Sequence, residues 1–227
     1  MRKAMKKVCL LFILALLLPV GVCPNAFCLN SEIDCCVARL EKRYGDMKDL
    51  SAEFEQETHL SSIKQVKKGE GKVFFKKVGK MLWEYSSPEV QKIILDGTNL
   101  WFYMPEEKQA MKNNFSTIPS HIVVDLFRGA IKIQQKFTVT LVQPAEKNKR
   151  TEIVLQLIPI IYDPTVTKVA LWVDPETYTI TKSLLEDEFG TKTILEFKNI
   201  KIDGGLDDKL FKFVPPPDVD IFEPPKL

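Results

Sequence analysis

Residues 91–103 read QKIILDGTNLWFY, and this stretch decides the fold class. Two apolar runs flank Asp96-Gly97, a dipeptide that favours tight turns because both residues tolerate a positive φ. The pattern predicts an antiparallel hairpin in which Gln91 to Leu95 pairs with Leu100 to Tyr103. A chain with such a hairpin near its centre is expected to build an antiparallel sheet around it.

Alternation of apolar and polar residues with a period of two predicts further strands on both sides of the hairpin. The first lies at 50–58, and a turn is predicted at Lys67-Lys68-Gly69. The other predicted strands are 72–76, 81–85, 109–112, 137–142, 151–157, 166–174, 178–185, 191–202 and an edge strand at Phe211 and Phe213. Because strands joined by short turns pair antiparallel, we expect a mainly β protein with helices (α+β). Its architecture is an incomplete, strongly curved antiparallel β-barrel of about eleven strands.

Two segments have helical periodicity. Residues 31–44 predict an amphipathic helix that Ser31 caps and Gly45 ends. Residues 117–131 are apolar around most of a helix, so this second helix must be covered on more than one side. We expect it to lie between the sheet and another layer.

The N-terminus predicts export. Residues 1–28 combine a basic start with an apolar run that is short for a membrane span, and Ala26-Phe27-Cys28 is a candidate cleavage site. Cleavage leaves 29–227 as one domain. Two alternatives stay open: an uncleaved anchor, or a lipid-modified Cys23, because Val20-Gly21-Val22-Cys23 resembles a lipobox.

The charge balance argues against a nucleic-acid partner, because 32 Lys and Arg face 30 Asp and Glu. The predicted signal holds Arg2, Lys3, Lys6, Lys7 and no acid, so its removal changes the net charge from +2 to −2 (+2 − 4).

Cysteine and histidine usage indicates neither a metal site nor an enzyme. Cys35 and Cys36 remain after the predicted cleavage, and burial of both thiols on the first helix is favoured over a disulfide between neighbours. His121 and Asp125 are one helical turn apart beside Ser120, but no nucleophile-elbow motif accompanies them. A solvated polar stripe is the favoured interpretation, and a hydrolase using His121 is the alternative.

Large apolar side chains recur on one predicted face of successive strands and on the apolar helix. An ordinary core is one interpretation, and a cavity that binds a nonpolar ligand is the other. The candidate cavity residues are Phe54, Phe75, Met81, Trp83, Tyr85, Leu95, Trp101, Tyr103, Met111, Val124, Phe127, Ile131, Leu155, Leu157, Leu171 and Leu184.

The block from Asp96 to Pro105, followed by Gln109-Ala110, closely resembles a signature of the periplasmic outer-membrane lipoprotein carrier family, LolA. Further resemblances follow in the same order as in the family, from about residue 33 to 221. They are Phe54 with Gln56, residues 71–77, Trp83-Glu84-Tyr85 before Pro88, and Phe211 and Phe213 before Pro215-Pro216.

The resemblance implies helices that form a lid over a hydrophobic cavity, and a monomeric carrier without catalytic residues, metal or cofactor. It implies triacylated lipoproteins as cargo, an inner-membrane ABC-type lipoprotein-releasing complex as donor and an outer-membrane lipoprotein acceptor as recipient. Lys77 stands where the carriers have an Arg that latches the lid. An outer-membrane-anchored acceptor, or an envelope sensor of lipid or lipoprotein with the same fold, is the alternative.

Overall fold

The computed structural model describes residues 25–77, 79–114, 132–142 and 152–223, with side chains from Glu32 onward. Most of the predicted signal and the whole apolar segment 117–131 therefore lie outside the described residues. The candidate residues on that segment are Ser120, His121, Val124, Asp125, Phe127 and Ile131.

One long helix precedes a succession of strands. The helix is α1 (Asn25–Asp46), and a single turn, α2 (Ile133–Lys136), precedes the second half of the sheet. The first six strands are β1 (Asp49–Leu60), β2 (Gln65–Lys76), β3 (Lys80–Ser87), β4 (Gln91–Leu95), β5 (Asn99–Met104) and β6 (Gln109–Asn114). The others are β7 (Phe137–Val142), β8 (Ile153–Pro159), β9 (Lys168–Val173), β10 (Ile180–Glu186), β11 (Lys192–Ile202) and β12 (Asp220–Phe222), with a 3-10 turn at Asp208–Phe211 before β12.

All twelve described strands form one sheet, in the order β12-β6-β5-β4-β3-β2-β1-β11-β10-β9-β8-β7. Every pair is antiparallel except β12 with β6, which is parallel. Within the part of the chain that the structure describes, β7 and β12 each pair on one side only, so the sheet is open. The predicted class, a mainly β protein with an open antiparallel sheet and helices, is confirmed.

The central hairpin forms as predicted. β4 pairs with β5 across Asp96 to Thr98, and Gly97 adopts a φ of 109°. The Asp96 carboxylate accepts hydrogen bonds from the backbone N–H of Thr98 at 2.9 Å and of Asn99 at 2.8 Å. The turn therefore depends on Asp96 for a short side chain that accepts hydrogen bonds and on Gly97 for a residue without Cβ.

The helix α1 packs on one face of the sheet, which we call the inner face. It buries Ile33, Cys36, Val37, Leu40 and Tyr44 against inner-face residues. The predicted amphipathic helix is thus confirmed, but its predicted start is wrong. The helix begins at Asn25, so the residue proposed as its cap lies inside it.

Polar contacts hold α1 in place at several points. The Tyr44 hydroxyl accepts a hydrogen bond from the backbone N–H of Ile180 at 3.0 Å in a buried position. The Glu41 carboxylate accepts bonds from the N–H of Ile133 at 2.7 Å and the ammonium of Lys132 at 2.9 Å. The helix is therefore bound to both the sheet and the segment that leads into β7.

Two local predictions are wrong. The turn after β1 lies at 61–64, and Lys67 to Gly69 continue β2 because β1 pairs with β2 over its whole length. The edge strand is β12 rather than Phe211 and Phe213. Because the residues of β12 lie between the two proline groups, their N–H groups are free to join the ladder.

The C-terminal segment 203–222 covers the opposite, outer face of β3 to β6. Phe211, which is buried, packs there with Leu82, Ile94, Trp101 and Ala110. Its start is anchored by Asp49, which is 4% exposed and accepts hydrogen bonds from the N–H groups of Gly205 and Leu206 at 3.1 to 3.2 Å. The buried carboxylate is therefore satisfied by backbone donors.

Gly71 lies at a close approach of β2 to β3. A Cβ at this position would lie 1.9 Å from the backbone oxygen of Glu84, so the strands would have to move apart. We expect Gly71→Ala to lower the free energy of unfolding by about 2 to 3 kcal/mol, measured by urea denaturation. Gly45→Ala is the control, since a Cβ added there would meet no neighbouring atom within 4 Å. Equal stability of the two variants would contradict the steric argument.

No helix in the described ranges is both long and apolar enough to cross a bilayer.

Candidate functional site

Most described candidate residues lie together on the inner face. They belong to the core cluster that contains the α1 side chains, pack against it, or pair with a residue that packs against it. They are Phe54, Phe75, Met81, Trp83, Tyr85, Leu95, Met111, Leu155, Leu157 and Leu171. Side chains from both halves of the chain therefore meet on one surface, as β1 and β11 join the halves in the middle of the sheet.

Trp101 and Tyr103 are on the outer face, so their predicted place in the cavity is wrong. Trp83 pairs with Ile93, whereas Trp101 pairs with the next residue, Ile94, and side chains alternate between faces. Both rings pack on Phe213 of the C-terminal segment, with centroids 5.1 and 4.9 Å away. They bind that segment to the sheet.

Leu184 is also on the outer face, contrary to prediction. Regular alternation from Ile180, which is buried on the inner face, would place Leu184 inward. A register shift between Ile180 and Lys182 inserts one residue, so Ser183 and Leu185 point inward instead. Leu184 then lies opposite Ala170 and Ile194.

An aromatic cluster occupies the centre of the inner face. Phe54 makes edge contacts with Trp83 and Tyr85, with ring centroids 4.7 and 4.9 Å apart. Phe75 and Phe197 lie 6.2 and 6.4 Å from Trp83. Such contacts stabilise beyond the burial of area alone. Phe197 was missed by sequence reasoning, although the alternation in β11 contains the signal for it.

One polar group is built into this cluster. The Tyr85 hydroxyl donates to the Gln56 side-chain oxygen at 2.8 Å, and the Gln56 amide donates to the Thr58 hydroxyl at 3.2 Å. Burial raises the pKa of Tyr85, because the phenolate would be poorly solvated there. The hydroxyl therefore remains a neutral hydrogen-bond donor on an otherwise apolar surface.

The inner face is not uniformly buried. Leu155, Leu157 and Leu171 are fully covered in the middle of the second half. Towards the sides, several apolar residues are only partly buried against the same core: Ile93, Phe102, Val139, Leu141, Ile153 and Leu185. These residues, which sequence reasoning also missed, can offer nonpolar contact area to a ligand.

A cavity of about 340 Å³ opens at one end of the inner face. Leu185 and Thr193 of the inner face form one part of its wall, and Phe189 with the loop at Pro164 forms another. Two further cavities, of about 380 and 310 Å³, are lined mainly by charged residues of the outer face such as Glu55. Of these three, the first is continuous with the apolar surface.

Lys77 contacts α1. Its ammonium donates to the carbonyl oxygen of Gly45, and its backbone N–H donates to the carbonyl of Lys48 at 2.8 Å. A cation at the C-terminal end of a helix satisfies carbonyls that have no intrahelical partner. Latching of the segment 117–131 by Lys77 stays a prediction, because that segment lies outside the described residues.

The adjacent cysteines have different environments. Cys36 is buried, and this burial raises the pKa of its thiol to about 11, whereas Cys35 is exposed, contrary to the expectation that both are covered. Both thiols are free. The described ranges contain no group of three or more His, Cys, Asp or Glu arranged to hold a metal ion.

Comparisons with known proteins agree with this arrangement. The family model "Outer membrane lipoprotein carrier protein LolA" matches residues 46–214. An outer-membrane lipoprotein carrier protein of Methylococcus capsulatus is 26% identical over 82% of this chain and 86% of its own length. That of Nitrosomonas europaea is 27% identical over 93% of this chain and 97% of its own.

A solved structure shares the fold. An uncharacterized conserved protein of Thermus thermophilus superposes with a TM-score of 0.54 at 12% identity, over 85% of this chain and 99% of that one. The matched family is one of carriers rather than enzymes. The match runs from Asp46, the last residue of α1, into the C-terminal segment. The chain therefore belongs to the outer membrane lipoprotein carrier protein family, LolA.

Proposed function

We propose that this protein is a periplasmic carrier that binds the acyl chains of triacylated lipoproteins on its inner face. It receives them from an inner-membrane ABC-type lipoprotein-releasing complex and delivers them to an outer-membrane acceptor. It acts as a monomer and needs neither a cofactor nor a catalytic residue. The observation that carries the proposal is the family match over residues 46–214, which includes almost the entire sheet.

The size of the hydrophobic effect explains why a carrier is needed. Each CH₂ group removed from water contributes about 0.8 kcal/mol, so one chain of about sixteen carbons contributes on the order of 12 kcal/mol. A lipoprotein with several such chains cannot leave a membrane unaided. A carrier must cover enough of this surface to offset the cost, yet bind weakly enough to release the cargo.

The chemistry of the inner face suits such a ligand. Partly buried aromatic and methionine side chains such as Phe102 and Met111 provide broad, adaptable nonpolar contacts without specific polar demands. The partly buried side chains at the margins of the face supply area that α1 does not cover. The Tyr85 hydroxyl, whose proton is bound to Gln56, can still accept a hydrogen bond from an amide N–H next to the acyl chains.

The proposal is tested by extraction of cargo from membranes. Protein purified from the periplasm is incubated with inner membranes that contain the releasing complex, ATP and a triacylated lipoprotein. We expect the lipoprotein to appear in the supernatant in an equimolar complex with the carrier. Cargo whose lipidated cysteine is replaced by serine is the control and should form no complex. Lipoprotein that remains in the membrane fraction would refute the proposal.

The N-terminus distinguishes the carrier from an anchored acceptor. Mass spectrometry of the mature protein should find an unmodified chain that begins at Leu29. A diacylglyceryl group on Cys23 would instead identify an anchored protein.

A further inference from the structure

One end of the sheet presents apolar side chains to solvent on three neighbouring connections. These are the β1–β2 turn with the first residues of β2, the β8–β9 loop and the β10–β11 turn. We call this set the apolar rim: Ile63, Val66, Ile161, Tyr162 and Phe189. Each is at least half exposed, and Ile161 and Phe189 are 76% and 74% exposed. Isolated apolar residues are common on surfaces, but five on adjacent connections form a patch.

Hydrogen bonds join the three connections. The Ser61 hydroxyl donates to the Gly190 carbonyl, which links the β1–β2 and β10–β11 turns. The N–H of Glu188 donates to the Pro164 carbonyl at 3.0 Å, and its carboxylate accepts the Tyr162 hydroxyl, which links the β8–β9 loop. The rim is therefore one structural unit.

The backbone of the rim is largely satisfied internally. The Asp187 carboxylate accepts from the N–H groups of Phe189 at 2.9 Å and Thr191 at 2.8 Å. The Asp163 carboxylate accepts from the N–H of Thr165 at 2.9 Å. Turns whose polar backbone groups are already bonded can enter a less polar environment at lower cost. The Asp163 and Asp187 carboxylates are thus hydrogen-bonded to backbone groups of the rim itself.

Basic side chains flank the apolar ones. Lys64 lies between Ile63 and Val66, Lys67 follows Val66, and Lys192 follows the β10–β11 turn. No ion pair of these three lysines is found within the ranges that the structure describes. Phosphate headgroups of anionic lipids complement such lysines, and aromatic side chains favour the boundary between headgroups and acyl chains.

The rim borders the opening of the inner face. Phe189 lines the same 340 Å³ cavity as Leu185 and Thr193, which point to the inner face. The rim consists of exposed turns. Such a convex surface fits a planar partner better than a concave groove does. A bilayer held against it would lie next to the apolar surface of the sheet.

We propose that the apolar rim is a reversible contact site for a bilayer containing anionic phospholipid. Its side chains enter the headgroup region while the lysines bind phosphate, which places the cavity beside Leu185 at the membrane surface. The bilayer contact itself needs no cargo. Its test is therefore independent of the proposal that the protein carries lipoproteins.

Vesicle sedimentation tests the contact. Protein purified from the periplasm is mixed with vesicles of equal parts phosphatidylglycerol and phosphatidylcholine. We expect wild-type protein to sediment with them at low salt and less of it to do so at high salt. The triple variant Ile63→Ser, Ile161→Ser, Phe189→Ser should bind at least about tenfold more weakly, since each inserted CH₂ contributes about fourfold.

A matched triple variant provides the control. Val142→Ser, Val214→Ser and Phe222→Ser remove two aliphatic residues and one phenylalanine that are exposed elsewhere, and vesicle binding should be unchanged. Thermal unfolding verifies that both variants are folded. Wild-type protein that stays in the supernatant, or equal binding by the two variants, would overturn the proposal.

Discussion

Leu185→Asp is expected to weaken binding of a triacylated peptide about 100-fold, because a carboxylate in a nonpolar contact costs on the order of 3 kcal/mol. Leu185 is partly buried on the inner face and lines the cavity that opens there. An ionised side chain at this point must either lose water when acyl chains bind or keep the chains away. The measurement is a titration with a fluorescent triacylated peptide in detergent-free buffer.

The adjacent residue provides a matched control. Leu184 has the same side chain and is also partly buried, but it points to the outer face between Ala170 and Ile194. Leu184→Asp should leave the affinity within about twofold, since the substituted side chain lies on the face opposite the proposed binding surface. Circular dichroism verifies that both variants are folded. Equal losses of affinity in the two variants would show that the inner face is not the binding surface.

Phe54→Ala is expected to lower the free energy of unfolding by about 4 kcal/mol, a large part of the roughly 5 to 15 kcal/mol typical of a domain. Phe54 is only 2% exposed, and its ring contacts two neighbouring aromatic rings of the cluster. Its removal leaves a cavity in the middle of the sheet, where β1 is paired on both sides and cannot easily collapse. Guanidinium denaturation followed by tryptophan fluorescence measures the loss.

Two variants set the scale for this prediction. Phe54→Leu retains most of the volume and should cost about 1 to 1.5 kcal/mol. Phe189→Ala removes a ring that is 74% exposed, so its cost should stay within about 0.5 kcal/mol. A loss below about 1 kcal/mol for Phe54→Ala would mean that the aromatic cluster is loosely packed.

Local sequence patterns were sufficient where the relevant physics is local. The Asp96-Gly97 hairpin forms because those two residues meet the demands of the turn by themselves. The amphipathic helix packs with Leu40 and Tyr44 inward because its period places them on one side. The strand β7 has the bounds that alternation predicted, Phe137–Val142.

Local patterns did not predict reliably on which face of the sheet a residue lies. Alternation divides each strand into two sets of side chains, but it does not say which set of one strand joins which set of the next. The offset between Trp83 and Trp101 depends on the register of β3, β4 and β5. The position of Leu184 depends on a single inserted residue in β10.

The sequence by itself determined the open antiparallel sheet, the helix that packs on it and the family, because periodicity, turn residues and signature motifs are properties of neighbouring residues. Only the tertiary structure decided that Trp101, Tyr103 and Leu184 face outward. It also decided that the C-terminal segment returns to cover the outer face and to pair with β6. Those features arise from pairing and packing between distant segments, where the burial of whole surfaces outweighs the preference of any single residue.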